Sequence, residues 1–197
     1  GTLRVELGRV LTAFRGAQVE TILLKGAAIG PTLYEDPATR AMNDLDLLIH
    51  AEDVERAEIA LQAMGYRLIR SEDVARAEAA LQAIGHRSSP LRSFFRSPSF
   101  VRQYGGNVEY AREVKGIRLE LDLQLQFTQS EWLRRTTKMD IADIWRTSRP
   151  WTDGALHARQ LSPQYAFFSL TLHLLKHGFG PGYLRWLADL DRLLRAC

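Results

Sequence analysis

Six residues narrow the possibilities for this chain more than any others: Asp44-Leu45-Asp46-Leu47-Leu48-Ile49. An apolar run of this length reads as a buried strand. Strand side chains alternate faces, so Asp44 and Asp46 share one side and Leu45, Leu47 and Ile49 share the other. Two carboxylates on one face repel and lose hydration, and a structural strand rarely keeps such a pair without a cation. Hard oxygen ligands at this spacing suit Mg²⁺, which takes one or two carboxylates and completes its shell with substrate phosphates. Twenty residues earlier stands Leu24-Lys25-Gly26-Ala27, at the junction of a short apolar strand (Val19 to Leu24) and a helix predicted over Ala27 to Tyr34. Glycine at that corner lets a phosphate approach the N–H groups of a helix start. A glycine corner beside a D-x-D strand predicts a site for a metal-bound triphosphate.

The hairpin predicted from Val108–Val114 and Ile117–Phe127, turning at Lys115-Gly116, supplies a further acid. In its second strand Ile117, Leu119, Leu121, Leu123, Leu125 and Phe127 face one way, and Arg118, Glu120, Asp122, Gln124 and Gln126 the other. Asp122 is the candidate third carboxylate, with Glu120 as its substitute. Without the D-x-D run, the same face would read as ordinary solvated polar residues.

The rest of the chain frames this site. Leu3, Val5, Leu7, Val10, Leu11 and Phe14 outline an amphipathic helix. Residues 52–66 are echoed at 72–86, from Glu52-Asp53-Val54 and Glu72-Asp73-Val74 to Gly65 and Gly85. Each copy has acids in its first turn and a glycine at its C-terminal end. Two copies fall short of a solenoid and read as a duplicated helix. Between 87 and 104 four arginines alternate with aromatics, a pattern that can stack on single-stranded nucleic acid. Pro90, Pro98 and the serines favour a loop packed on the core instead.

From 128 onward the pattern turns helical, with helices expected over Met139–Trp145, from Ser162-Pro163 to Lys176, and over Tyr183–Ala196, and with a break around Arg149-Pro150 and Gly154. His173 and His177 lie four apart on one helix, but no Glu or third ligand accompanies them, so a hydrogen-bonded pair is expected rather than zinc. Asp189 is expected to bond Arg185 or one of these histidines.

The residues Leu24-Lys25-Gly26 and Arg40-Ala41-Met42-Asn43-Asp44-Leu45-Asp46-Leu47-Leu48-Ile49 resemble the signature of the polymerase-beta-type nucleotidyltransferase superfamily. They are most similar to its bacterial "uncharacterised nucleotidyltransferase" family. Gly65-Tyr66, the acid-bearing strand Glu120 to Phe127 and the segment His173 to Gly178 also have counterparts in that family. Gln124 stands where the family would place a histidine.

The resemblance implies an α+β fold: a nucleotidyltransferase core over 1–127 with a small mixed β-sheet and flanking helices, then a helical C-terminal segment over 128–197. It implies Mg²⁺-dependent transfer of a nucleoside monophosphate from an NTP, with ATP the first choice, to a hydroxyl acceptor such as a peptide, protein or small molecule. Asp44, Asp46 and Asp122 would be the catalytic and metal-binding acids. Lys25, Gly26, Arg40 and Asn43 would bind the nucleotide, Arg40 by reaching a phosphate. The alternatives are a non-catalytic nucleotide-binding module, or transfer of another phosphate-linked group such as a sugar.

Composition narrows the partners further. Lys plus Arg number 26 against 23 acids, a net charge of +3. That suits phosphate binding but falls short of a nucleic-acid footprint. No apolar run reaches membrane-spanning length, and a single cysteine, Cys197, fits a reducing cytoplasm. The chain opens without Met and stops within a helical pattern, as expected of a trimmed segment.

Overall fold

The computed structural model describes residues 2–69, 107–128, 139–177 and 183–196. The second helix copy and the arginine–aromatic stretch lie outside these residues. The elements run α1 (Thr2–Gly16), β1 (Thr21–Leu23), α2 (Lys25–Leu33), β2 (Asp44–Ile49), α3 (Val54–Ala63), β3 (Arg67–Leu68), β4 (Asn107–Val114) and β5 (Ile117–Gln124). They continue with α4 (Ile141–Thr147), β6 (Arg149–Asp153), β7 (Leu156–Gln160), α5 (Pro163–His177) and α6 (Tyr183–Arg195).

The seven strands among the described residues join one mixed sheet in the order β3-β4-β5-β2-β1-β7-β6. The β4–β5 hairpin forms as predicted and turns through Lys115 and Gly116, both at positive φ. Two successive positive φ values define the tight primed turns whose twist matches that of the strands. The chain between Arg149 and Gln160, read from sequence as a break, is instead a second hairpin, β6–β7, whose β7 pairs in parallel with β1. Its strands mix Arg, Pro, Asp, His and Gln with few apolar residues, and the Leu156–Ala158 alternation in β7 is too short to stand out as a strand signal.

The D-x-D strand sits near the middle of the sheet, as its apolar content requires. Its neighbours are β1, antiparallel, and β5, parallel. Leu45, Leu47 and Ile49 pack with Leu121 and Leu123 under α1 (Leu7, Val10, Leu11, Phe14) and α3 (Val54, Ala57, Leu61). On the opposite face Leu48 joins Ile22, Leu24, Ile144, Trp145 and Leu161. Asp44 and Asp46 lie on this second face, ahead of the apolar cover.

Gly65-Tyr66 closes α3. Gly65 takes φ 86°, the left-handed conformation that ends helices, and returns the chain to the sheet. The buried Tyr66 hydroxyl then donates to Glu6 Oε1 at 3.2 Å, and Arg112 Nη1 donates to the same oxygen at 3.0 Å. Glu6 is only 2 % exposed. This network ties α1, the end of α3 and β4 together beneath the sheet. Tyr66→Phe takes one partner from a buried carboxylate and should lower unfolding free energy by about 1–3 kcal/mol, measured by urea denaturation.

Candidate functional site

The site is built by register. Parallel pairing of β2 with β5 sets Asp46 opposite Asp122, Asp44 opposite Glu120 and Leu48 opposite Gln124. Same-face neighbours on adjacent strands stand roughly 5 Å apart, so the two central acids are adjacent across the strand boundary. Glu120, opposite Asp44, is half exposed and paired with Arg118 at 2.8 Å. Of the two candidates for third acid, Asp122 is the one set opposite the buried Asp46.

Three donors surround the central acids. Lys25 Nζ lies 2.5 Å from Asp46 Oδ1. Gln124 Nε2 sits 3.3 Å from both Asp46 Oδ1 and Asp122 Oδ2, a single amide spanning the two carboxylates. Asn107 Nδ2 donates to Asp122 Oδ1 at 2.9 Å. Burial and then the charge of Asp46 push the Asp122 carboxyl up to about 6, against the opposing pull of Asn107 and Lys25. Asp44, at the mouth of the site, is also raised, by desolvation and then by Asp46, while Lys25 and Arg185 pull it down.

The corner before α2 differs from expectation in detail. Gly26 is buried, and a Cβ there would come within 3.0 Å of Met42 Cγ and 3.2 Å of Arg40 Nη1. Its missing side chain therefore makes room for protein atoms. The unusual backbone belongs to Lys25, at φ 45°, a conformation that costs a non-glycine residue about 1–3 kcal/mol and clusters at functional sites. Leu24, the residue before α2, makes no side-chain cap, and its N–H donates to Asp46 O at 3.0 Å. The strand end and the helix start are thus joined through the acid strand itself. Asn43 is exposed one residue ahead of β2.

Arg40, expected to reach a phosphate, is buried and already paired. Its Nε and Nη2 grip Asp189 of α6 at 2.9 and 2.7 Å, and Nη1 donates to Ala41 O. Asp189 is fully buried and also accepts from the Tyr34 hydroxyl at 2.7 Å. It bonds Arg40 and Tyr34, where Arg185 or a histidine was expected. His173 packs edge-on against Trp186, and the His177 side chain lies outside the described residues. The cation that α6 does bring to the acids is Arg185. Its Nη1 donates to Ala41 O at 3.2 Å, its Nε is buried with no hydrogen-bond partner among the described residues, and its charge is felt at Asp44.

Sequence reasoning thus missed Asn107 and Arg185 and treated Gln124 only as a departure from pattern. Gln124 was findable, because it lies two residues after Asp122 on the same strand face. Asn107 and Arg185 depend on a diagonal strand contact and a helix docking that carry no local signal.

The donor set can be tested against a divalent ion. Among the described residues no group of three Asp, Glu, His or Cys side chains is arranged to hold a metal by itself. The two adjacent carboxylates, Asp46 and Asp122, nonetheless fit Mg²⁺, which commonly takes one or two carboxylates and leaves the rest of its shell to water and phosphate oxygens. Lys25 already contributes positive charge to Asp46, one of the two carboxylates that would hold such an ion.

The arrangement is that of a nucleotidyltransferase fold. The chain belongs to the family described as uncharacterised nucleotidyltransferase, whose model matches residues 1–197. Its fold is similar to the crystal structure of an antigenic nucleotidyltransferase-like protein from Paracoccidioides brasiliensis, at 13% identity and a TM-score of 0.57, over 99% of this chain and 76% of that one. It is similar also to the crystal structure of ANT(2")-Ia in complex with adenylyl-2"-tobramycin, at 13% identity and a TM-score of 0.57, over 100% and 90% of the two chains. A solution structure of the antibiotic-resistance factor ANT(2'')-Ia matches at 12% identity and a TM-score of 0.57, over 99% and 84%. No curated protein sequence is significantly similar. No described helix is long and apolar enough to cross a membrane.

Two measurements check the electrostatics. A carboxyl whose folded pKa is raised favours folding below its unfolded value near 3.8 and loses that contribution as pH rises through about 6. Asp122→Asn in metal-free protein should therefore be more stable than wild type by about 1–2 kcal/mol at pH 8, with the gap closing below pH ~4 in thermal melts. Arg40→Ala leaves Asp189 buried and short of its cation, and should cost about 3–5 kcal/mol in urea unfolding without any nucleotide present.

Proposed function

We propose that this protein is a Mg²⁺-dependent nucleotidyltransferase that moves a nucleoside monophosphate, ATP being the preferred donor, onto a hydroxyl of a small molecule or peptide. One observation carries the reading: Asp46 and Asp122, in register on adjacent parallel strands, with Lys25 and Gln124 donating to them. Acids so crowded in a half-dry site are unfavourable unless a cation joins them. Asp44, Asp46 and Asp122 would hold Mg²⁺. When bound, the ion supplies neutralisation of the charge that develops as the triphosphate is cleaved in line.

The chain's own residues supply the rest. The N–H groups at the start of α2 offer an anion a seat, in line with the helix dipole. Lys25 and Arg185 are the cations near that seat, with Asn43 beside it. Arg40 serves the nucleotide indirectly, by holding α6 and hence Arg185 against the loop that leads into β2. The acceptor oxygen attacks the α-phosphorus, the bond to pyrophosphate breaks, and the acceptor's proton passes to Asp122. A small-molecule acceptor is supported by the fold's similarity to ANT(2")-Ia, solved with adenylyl-2"-tobramycin.

The experiment is pyrophosphate release from each of the four NTPs, with Mg²⁺, against a panel of amino sugars, alcohols and hydroxyl-bearing peptides. Asp46→Asn should reduce release to background, and Asp122→Asn should lower kcat by about 10²–10⁴-fold with native-like circular dichroism. Release of nucleoside diphosphate would instead point to phosphoryl transfer. Metal-dependent nucleotide binding without any release would point to a regulatory module.

A further inference from the structure

Among the described residues, the cation in contact with the acid pair is Lys25, tethered to the chain, and its position bears on how a metal enters. Lys25 Nζ is 2.5 Å from the Asp46 oxygen that also accepts from Gln124. The Lys25 side chain is 19% exposed and that of Asp46 6%, so little water screens the contact. The lysine reaches this oxygen from a left-handed backbone, φ 45°, at the first residue of α2. Strain of this kind persists only where the surroundings enforce it. Among the described residues, meanwhile, the acids form no ready three-ligand metal group. The ammonium and a divalent ion would compete for the same carboxylate.

We propose that Lys25 is a resident counter-cation of the nucleotide-free protein, holding Asp46 until a divalent ion arrives together with a polyphosphate. This inference rests on the functional reading above and adds an order of assembly to it. A bare divalent ion would have to expel a tethered ammonium into a place with no anion to receive it. A metal–triphosphate complex brings that anion, because its phosphate oxygens, seated at the start of α2, lie beside the residue that must move. Lys25 then exchanges one anionic partner for another, and its charge is never left desolvated and unpaired. The consequence is that metal affinity is low alone and high with nucleotide. The site would bind its metal only when there is a substrate to use it on.

The test is Mn²⁺ binding followed by electron paramagnetic resonance and calorimetry, with and without a non-hydrolysable ATP analogue. It compares wild type, Lys25→Met, Lys25→Gln and Lys25→Arg. Wild type should bind Mn²⁺ weakly alone and tightly with the analogue. Lys25→Met should bind Mn²⁺ alone about tenfold more tightly than wild type, and the Mn²⁺–analogue pair more weakly. Lys25→Gln keeps a donor for Asp46 without the charge and reads the same gain should the Met variant fold poorly. Lys25→Arg keeps the charge, so its metal-only affinity should stay low. Adding Asp46→Asn to Lys25→Met should abolish the gain. Unchanged or weaker metal-only binding in both uncharged variants, with wild type still taking up the Mn²⁺–analogue pair, overturns this inference and leaves the functional reading standing. Failure of wild type to bind that pair at all overturns both.

Discussion

Parallel, in-register pairing of β2 with β5 is the contact on which the rest of this structure depends. It places Asp46 directly across from Asp122, and it does so in the middle of the sheet, between strands whose other face is apolar. A shift of one residue would turn Asp46 toward the core under α1 and α3 and lift Leu47 into the site. The burial of Leu45, Leu47 and Ile49 on one face and Leu48 on the other makes that slip unfavourable. The hydrophobic packing thus holds two carboxylates closer than they would stay by themselves.

Compensation for that crowding comes from several parts of the chain. Lys25 enters from the β1–α2 corner, Gln124 from β5 itself and Asn107 from the neighbouring strand. Arg185 acts on Asp44 from α6. Each cation is held by something else: Lys25 by an unusual backbone, Arg185 by its bond to Ala41 O and the docking of its helix. The buried Arg40–Asp189 pair supplies that docking, reinforced by the Tyr34 hydroxyl and by Arg192 lying 4.3 Å over the Tyr34 ring. A buried ion pair of this kind adds little net stability but penalises any arrangement in which its halves separate. It fixes where α6 lies against the lead-in to the acid strand.

A motif arginine and a motif glycine are both engaged by protein atoms in this structure. Arg40 precedes the acids and invites a phosphate role, yet its guanidinium is filled by Asp189 and a carbonyl. Gly26 invites a phosphate cradle, yet its bare Cα is where Met42 and Arg40 pack. Both residues shape the site from behind. Gly65-Tyr66 does the same for the far face of the sheet, by closing α3 and satisfying Glu6.

The sequence alone determined the elements whose signal is local. The acid strand, the Lys115-Gly116 hairpin, α1, α3 and the C-terminal helices follow from period, turn chemistry and capping, because those forces act between residues a few positions apart. It also marked Asp44, Asp46 and Asp122 as sharing a face type, since strand alternation needs no tertiary knowledge. Only the tertiary structure decided that β2 and β5 are neighbours in this register, and therefore that Asp122 and not Glu120 meets Asp46. It alone decided that β6–β7 extends the sheet beyond β1, that Arg40 belongs to Asp189, and that Asn107 and Arg185 face the acids. These pairings join residues up to 149 positions apart. Their energies come from burial and charge in the assembled fold, which no local window of sequence contains.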